Sequence, residues 1–158
     1  MLYLRPLKSY DIEKLFKIKS NHLNFNKKFT NFNTKTVTRE SIKKWFYNFI
    51  NETDAIRLGI CLVNSNILIG VITLGKIDYK NSICELHINI DISHQNKGYG
   101  KKSILLLLEY IKNILKIQKV YLNVHKEHII AINMYKKIGF ELIKEKNNNF
   151  NIMEIKLF

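Results

Sequence analysis

Proline occurs once in this chain of 158 residues and glycine six times. No Pro/Gly-rich stretch, linker or internal repeat can be drawn, and the few glycines carry positional information. Cysteine occurs twice, as Cys61 and Cys84, both inside apolar runs and without metal-ligand spacing. A disulfide framework and a zinc site are therefore not expected, and two reduced, buried thiols are. The longest unbroken apolar run covers 104–108, against the ~20 residues of a membrane span. The opening MLYLRPL is broken by Arg5 and Pro6 too soon for a signal peptide. These absences predict a soluble, cytoplasmic protein with no membrane partner and no bound metal. Acidic residues are scarce too: 13 Asp and Glu face 26 Lys and Arg, a net charge of +13. The only arginines are Arg5, Arg39 and Arg57. Such a field attracts anionic ligands and repels a polycation. With no arginine stripe and no aromatic platform, a nucleic-acid partner is not expected.

What remains is an ordinary globular composition, long enough for one domain over residues 1–158 to bury a core without staples. Alternation predicts strands over 2–6, 56–63, 67–77, 83–92, 119–124, 140–144 and 152–157. Helical spacing predicts helices over 10–19, capped by Ser9, and from Thr38 to about residue 51, with Ile42, Trp45, Phe46, Phe49 and Ile50 on one stripe. Two more helices fit 101–116 and 129–138, the last closed by Gly139 at a position where positive φ is cheap. Residues 21–37 read as a loop. The order β-α-α-β-β-β-α-β-α-β-β predicts a mixed α/β sheet, an antiparallel meander with one β-α-β crossover and hence one parallel pair.

Two segments carry chemistry. The first is Gln95-Asn96-Lys97-Gly98-Tyr99-Gly100-Lys101, between a strand and a helix. Backbone N–H groups opening a helix have no intrahelical partner, and the helix dipole adds positive potential there. Glycine lets phosphate oxygens approach the main chain, and Lys97, Lys101 and Lys102 add charge. Neither a GxxxxGK[ST] nor a GxGxxG pattern is present, so ATP and NAD sites are not expected. The second segment runs from His128 to Phe140 and holds Ala131, Tyr135 and Gly139. A phenol can protonate a departing thiolate, although Tyr135 also reads as an aromatic at the edge of the core.

Together these segments resemble the GNAT N-acetyltransferase superfamily. Its phosphate loop, Q/R-x-x-G-x-G/A after the fourth strand, appears here as Gln95-x-x-Gly98-x-Gly100. Its later pattern, N-x-x-A-x-x-x-Y-x-x-x-G-F, appears as Ala131, Tyr135, Gly139 and Phe140. The opening LRPL and the strand bearing Glu85 are also similar, so the resemblance covers essentially the whole chain. It implies a seven-stranded, mostly antiparallel sheet flanked by about four helices, with a splayed parallel pair between strands 4 and 5.

It further implies acetyl-CoA as cosubstrate. Main-chain groups of Ile90 and Ile92 would pair with the pantetheine arm. The backbone of Gln95, Asn96, Lys97, Gly98, Tyr99, Gly100 and Lys101 would hold the pyrophosphate. Tyr135 would be the general acid and Glu85 the base or water-positioning residue, with His87, on the same strand face, in reserve. His128 stands where the family has an asparagine that touches the pantetheine. No role is legible for His22, His94 or His125.

The resemblance reaches the branch of ribosomal-protein, spermidine and nucleotide-amino-sugar acetyltransferases. The positive field favours a nucleotide-linked amino sugar as acceptor, then a protein or peptide amine, with a polyamine disfavoured. A silent fold that binds CoA or nucleic acid is the rival reading. A homodimer is expected by analogy.

Overall fold

A computed structural model describes residues 1–25, 37–48 and 52–158, and among these residues lie seven strands and four α-helices. The sequence enters through β1 (Leu2–Pro6), a 3-10 turn (Ser9–Asp11), α1 (Ile12–Phe25) and α2 (Arg39–Asn48). A meander follows, made of β2 (Ile56–Leu62), β3 (Leu68–Asp78) and β4 (Ile83–Ile90). Then come α3 (Tyr99–Tyr110), β5 (Lys119–His125), α4 (Ile129–Ile138), β6 (Glu141–Glu145) and β7 (Phe150–Lys156). The sheet order is β1-β2-β3-β4-β5-β7-β6. Every neighbouring pair is antiparallel except β4 and β5, which run parallel. This is the mixed α/β sheet expected from the sequence.

Strand alternation divides the apolar residues between two cores. On one face Ile60, Ile72, Leu74, Leu86, Val120 and Leu122 meet Ile104, Leu107 and Ile111 from α3 and the turn after it. On the other face Cys61, Leu68 and Val71 meet Leu15 and Ile18 of α1 and Ile42 and Phe46 of α2. Both cysteines are free and buried, as expected. Burial alone pushes the Cys84 thiol up to about 12, which leaves it unreactive at neutral pH. No described helix is long and apolar enough to cross a membrane.

Several boundaries differ from the sequence reading. Ser9 is not a helix cap: it opens the 3-10 turn, and the Asp11 carboxylate takes the cap role by accepting the Lys8 backbone N–H at 2.7 Å. The same carboxylate receives both arms of the Arg5 guanidinium, at 2.7 and 2.8 Å. Thr38 does cap α2, exchanging bonds with Ser41. α1 continues as helix to Phe25, where a loop from residue 21 was expected. The rest of that loop from 26 to 36, the His22 side chain, and Phe49 and Ile50 lie outside the described residues. β4 ends at Ile90, two residues early, because the chain turns at Asp91 into a 3-10 turn over Ile92–His94. α3 begins at Tyr99 rather than Lys101, and after Tyr110 a wider π-turn (Ile111–Leu115) completes it. The closing hairpin is shifted by one or two residues: the Phe140 N–H still donates to the Tyr135 carbonyl, so β6 opens at Glu141, and β7 opens at Phe150.

The Arg5–Asp11 pair is bidentate and nearly enclosed, with Asp11 4% exposed. Removing the carboxylate leaves a partly shielded guanidinium with the Pro6 carbonyl as its remaining acceptor. Asp11→Ala is expected to cost about 3 kcal/mol in urea unfolding; a loss under about 1 kcal/mol would show that the pair is dispensable.

Candidate active site

The site grows from a defect in the sheet. β4 and β5 pair only through Ile83, Cys84 and Glu85 against Lys119, Val120 and Tyr121. Beyond that point β4 follows β3 as far as Ile90, opposite Gly70. β5 follows β7 as far as His125, opposite Phe150. Each half of the sheet carries its own right-handed twist, so the parallel pair parts. In an antiparallel ladder alternate residues turn their N–H and C=O away from the partner. The Asp91 N–H goes to Ile69 on the β3 side, so Ile90 and Ile88, beyond the last parallel pair, turn theirs toward the gap. One of these groups is engaged within the chain: the Gln95 amide donates to the Ile90 carbonyl at 2.9 Å.

The loop beyond β4 delivers the chain to α3. Asn96 and Gly98 both adopt left-handed φ, 58° and 78°. Gly98 is the residue before the helix, and no side chain caps that end. The first intrahelical bond runs from Lys102 N–H to the Gly98 carbonyl at 3.1 Å. The N–H groups of Tyr99, Gly100 and Lys101 therefore lie in the uncapped first turn, in the positive field of the helix dipole. A Cβ on Gly98 would meet nothing within 4 Å, so it faces open space, whereas one on Gly100 would come within 3.4 Å of the Met134 sulfur on α4. Gly98 is thus favoured for its backbone conformation, whereas Gly100 lies against the Met134 side chain at ordinary contact distance. Lys97 donates to the Ser93 carbonyl at 2.8 Å, which fastens the loop.

On the face below α1 and α2, the polar side of β4 meets β3 and β5. Glu85 is 3% exposed. Its carboxylate accepts Asn123 Nδ2, the Tyr121 hydroxyl at 3.3 Å and Lys76 Nζ at 2.7 Å, and lies 3.4 Å from His87 Nε2. Lys76 reaches it from a break in the β3 ladder, between Gly75 and Asp78, where it holds φ 49°. Burial would raise the Glu85 carboxyl, but Lys76, His87 and Asn123 outweigh it and hold it below the usual carboxylate range. Glu85 is therefore ionised at neutral pH. His87 is held below the ordinary imidazole range, first by partial burial and then by Lys76 and Lys146, against the pull of Glu85. Two buried amide oxygens on this face, Asn89 Oδ1 and Asn123 Oδ1, have no hydrogen-bond donor among the described residues.

α4 supplies the opposite wall. Gly139, at φ 116°, ends it in a double turn in which Gly139 and Phe140 both donate to the Tyr135 carbonyl. The Tyr135 ring packs edge-on against Phe140 at 5.8 Å, and burial pushes its phenol up to about 12. His128 precedes α4, half-buried, and burial together with His125 lowers its imidazole, so it is neutral at pH 7.

A family model for the acetyltransferase (GNAT) domain matches residues 1–141. The chain belongs to the GNAT acetyltransferase family. Among curated proteins it is 37% identical over 73 residues to the spermidine N(1)-acetyltransferase of Vibrio cholerae, covering 46% of this chain and 42% of that protein. It is 32% identical over 83 residues to the spermidine N(1)-acetyltransferase of Escherichia coli K12, covering 52% and 45%. The matched parts thus span less than half the length of these curated relatives. Among solved structures, a spermidine N-acetyltransferase from Vibrio cholerae in complex with CoA and spermine superposes with a TM-score of 0.87, over 99% of this chain and 95% of that one, at 23% identity. A domain from Methanocaldococcus jannaschii superposes with a TM-score of 0.83 at 21% identity, over 99% and 98%.

Against this GNAT frame, the structure brings Glu85 and His87 together on one face, and Ile90 and the Gln95–Lys101 loop together at the end of β4. Ile92 does not continue the strand. Asp91, drawn under α1 by Lys14 at 2.6 Å, turns the chain, and the Ile92 carbonyl already accepts the Gln95 N–H. His125 is no idle loop residue: it ends β5, packs on Phe150 and accepts the Glu127 N–H. His94 sits 3.8 Å from Asp91. Sequence reading missed Lys76, Tyr121 and Asn123. The last two could have been found, because they are the polar alternates of the strand that pairs with Glu85.

Among the described residues no cluster could hold a metal ion. The groups that do converge fit a diphosphate at the uncapped α3 terminus and an amide-bearing chain along the gap. Gly98→Ala, forced into left-handed φ at a cost on the order of 1 kcal/mol, is expected to weaken acetyl-CoA binding about fivefold or more by calorimetry. Unchanged affinity would place the diphosphate elsewhere.

Proposed function

We propose that this protein is an acetyl-CoA-dependent N-acetyltransferase whose acceptor is the primary amine of a polyamine. The observation that carries the reading is the joint arrangement of three features: an uncapped α3 N-terminus, an opened β4–β5 pair and a buried, ionised Glu85 beside the opening. When bound, acetyl-CoA supplies the activated acyl group. The amides of Tyr99, Gly100 and Lys101, with Gly98 and Asn96 shaping the approach, would hold its pyrophosphate. The N–H of Ile90 turns into the gap, where it can donate to the pantetheine or polarise a carbonyl. His128, neutral, can donate a hydrogen bond where the family has an amide.

Tyr135 keeps its proton to about pH 12, so it is in the donor form across the working range. A phenol that reluctant is a poor match for a thiolate in water. A thiolate released in the same poorly hydrated place suffers the same penalty, however, so its demand for a proton rises in step. Glu85 is too firmly ionised to be an efficient base for an ammonium group, since catalytic bases work best with a pKa near the operating pH. Its negative charge instead attracts and orients the protonated acceptor.

The polyamine reading reverses the ranking drawn from composition. The relatives that match at 32–37% identity act on spermidine by name, which supports a polyamine over an amino sugar. Physically, the +13 field is a long-range property, screened beyond about 8 Å in physiological salt. The acceptor meets local groups, and Glu85 is the most buried charge on that face. A nucleotide-linked amino sugar is the second reading, favoured by the same excess of lysine.

Steady-state assays with a panel of amines and a thiol-release readout test the proposal. Spermidine or spermine is expected to be turned over in preference to nucleotide-linked amino sugars and peptide amines. Preference for an amino sugar would restore the composition-based ranking, and no transfer to any amine would support the silent rival. Tyr135→Phe is expected to lower kcat roughly 100-fold with acetyl-CoA affinity nearly unchanged.

A further inference from the structure

We propose that His87 is the general base that deprotonates the acceptor, and that Glu85 acts through it. This rests on the acetyltransferase reading above and goes beyond it, since that reading leaves the ammonium proton without a taker. His87 lies two residues from Glu85 on β4, so both side chains leave the same face. Its Nε2 is 3.4 Å from Glu85 Oε1. An anion at that range can only accept, so it favours, electrostatically, the tautomer with the proton on Nε2, the nitrogen nearer to it. That leaves the Nδ1 lone pair as the free basic site, on a ring 59% exposed and open to solvent.

Glu85 itself is poorly suited to the task. Lys76, Tyr121 and Asn123 already occupy its oxygens. A proton arriving there would have to displace them. The imidazole has no such competition, and a charge formed on it is balanced by the carboxylate beside it. The charged groups around His87 are Glu85 on its own strand, Lys76 from β3 and Lys146 from the turn between β6 and β7. The two lysines oppose protonation and the carboxylate favours it, and with partial burial the ring remains neutral at pH 7.

The proton balance closes. His87 Nδ1 takes one proton from the acceptor ammonium. The resulting amine forms the new C–N bond as the C–S bond breaks. The second amine proton replaces the one that Tyr135 passes to sulfur. The imidazolium then releases its proton to water, so one proton leaves per turnover.

The test is a pair of pH–rate profiles with a ring titration. In the wild type, kcat/KM should fall on the acid side with a limb below the ordinary imidazole pKa of about 6.5. His87→Gln should lose about 100-fold in kcat and that limb with it, while acetyl-CoA affinity stays the same. Glu85→Gln should keep the limb but move it to lower pH, because the imidazolium loses its counter-charge. NMR of the histidine rings should show the Nε2–H tautomer for His87 and the same downward movement in Glu85→Gln, independent of turnover. If His87→Gln keeps the wild-type rate and limb while Glu85→Gln abolishes both, Glu85 is the base and this proposal is wrong. A wild-type protein that acetylates no amine overturns the function itself, and the role of His87 with it.

Discussion

A hydrogen-bond ladder that stops after three residue pairs governs this molecule. β4 and β5 are held together from Ile83 to Glu85 and then released, each kept in line by its antiparallel neighbour. Backbone groups left in such a gap must find a partner or pay for its absence. The protein satisfies one internally, through Gln95 and the Ile90 carbonyl, and leaves the adjacent N–H directed at the opening. An extended ligand with amide groups can act there as a surrogate strand. The rest of the architecture fixes the gap in place. Asp91, tied to Lys14 on α1, turns the chain at the end of β4, and two left-handed residues bring it round to start α3 facing the same opening. The crossover helix is not only a connector; its uncapped first turn is where the proposed function puts the pyrophosphate.

Charge is arranged at two scales. Over the whole surface lysine predominates, and the field draws anions. Within the site the significant charge has the opposite sign. Glu85 is buried, yet it stays ionised because Lys76 reaches it from an irregularity in β3 and two β5 side chains donate to it. Burying a carboxylate without such partners would instead raise its pKa until it neutralised. The broken β3 ladder, the short parallel pair and the polar alternates of β5 therefore serve one group. In the proposed function, that group serves the acceptor and the uncapped helix end serves the cosubstrate. Composition reports the global charge and is silent about the local one, which is why it disfavours a polyamine while the relatives and Glu85 support one.

The legible part of the fold was the part written in periodicity. Every described strand and α-helix was present in the sequence pattern, and Gly139 marked a helix end because that position takes positive φ; Gly98, read from sequence as room for a phosphate, also holds the left-handed residue that opens α3. Boundaries failed where a single side chain overrides the local pattern. Ile92 continues the alternation of β4, but Asp91 is pulled beneath α1, and no pattern encodes a partner 77 positions away. Ser9 looks like a cap, yet Asp11 takes that role because it also neutralises Arg5. In the site, Glu85 and His87 were legible as neighbours on one strand face. Lys76 was not, because its contact depends on a left-handed residue within a strand.

The most direct measurement of the central claim is a backbone amide NMR titration with a non-hydrolysable acetyl-CoA analogue. The account predicts the largest shifts at Ile90 and at Tyr99, Gly100 and Lys101, with smaller ones along β5 where it parts from β4. Shifts confined to other surfaces, with those amides unmoved, would contradict it.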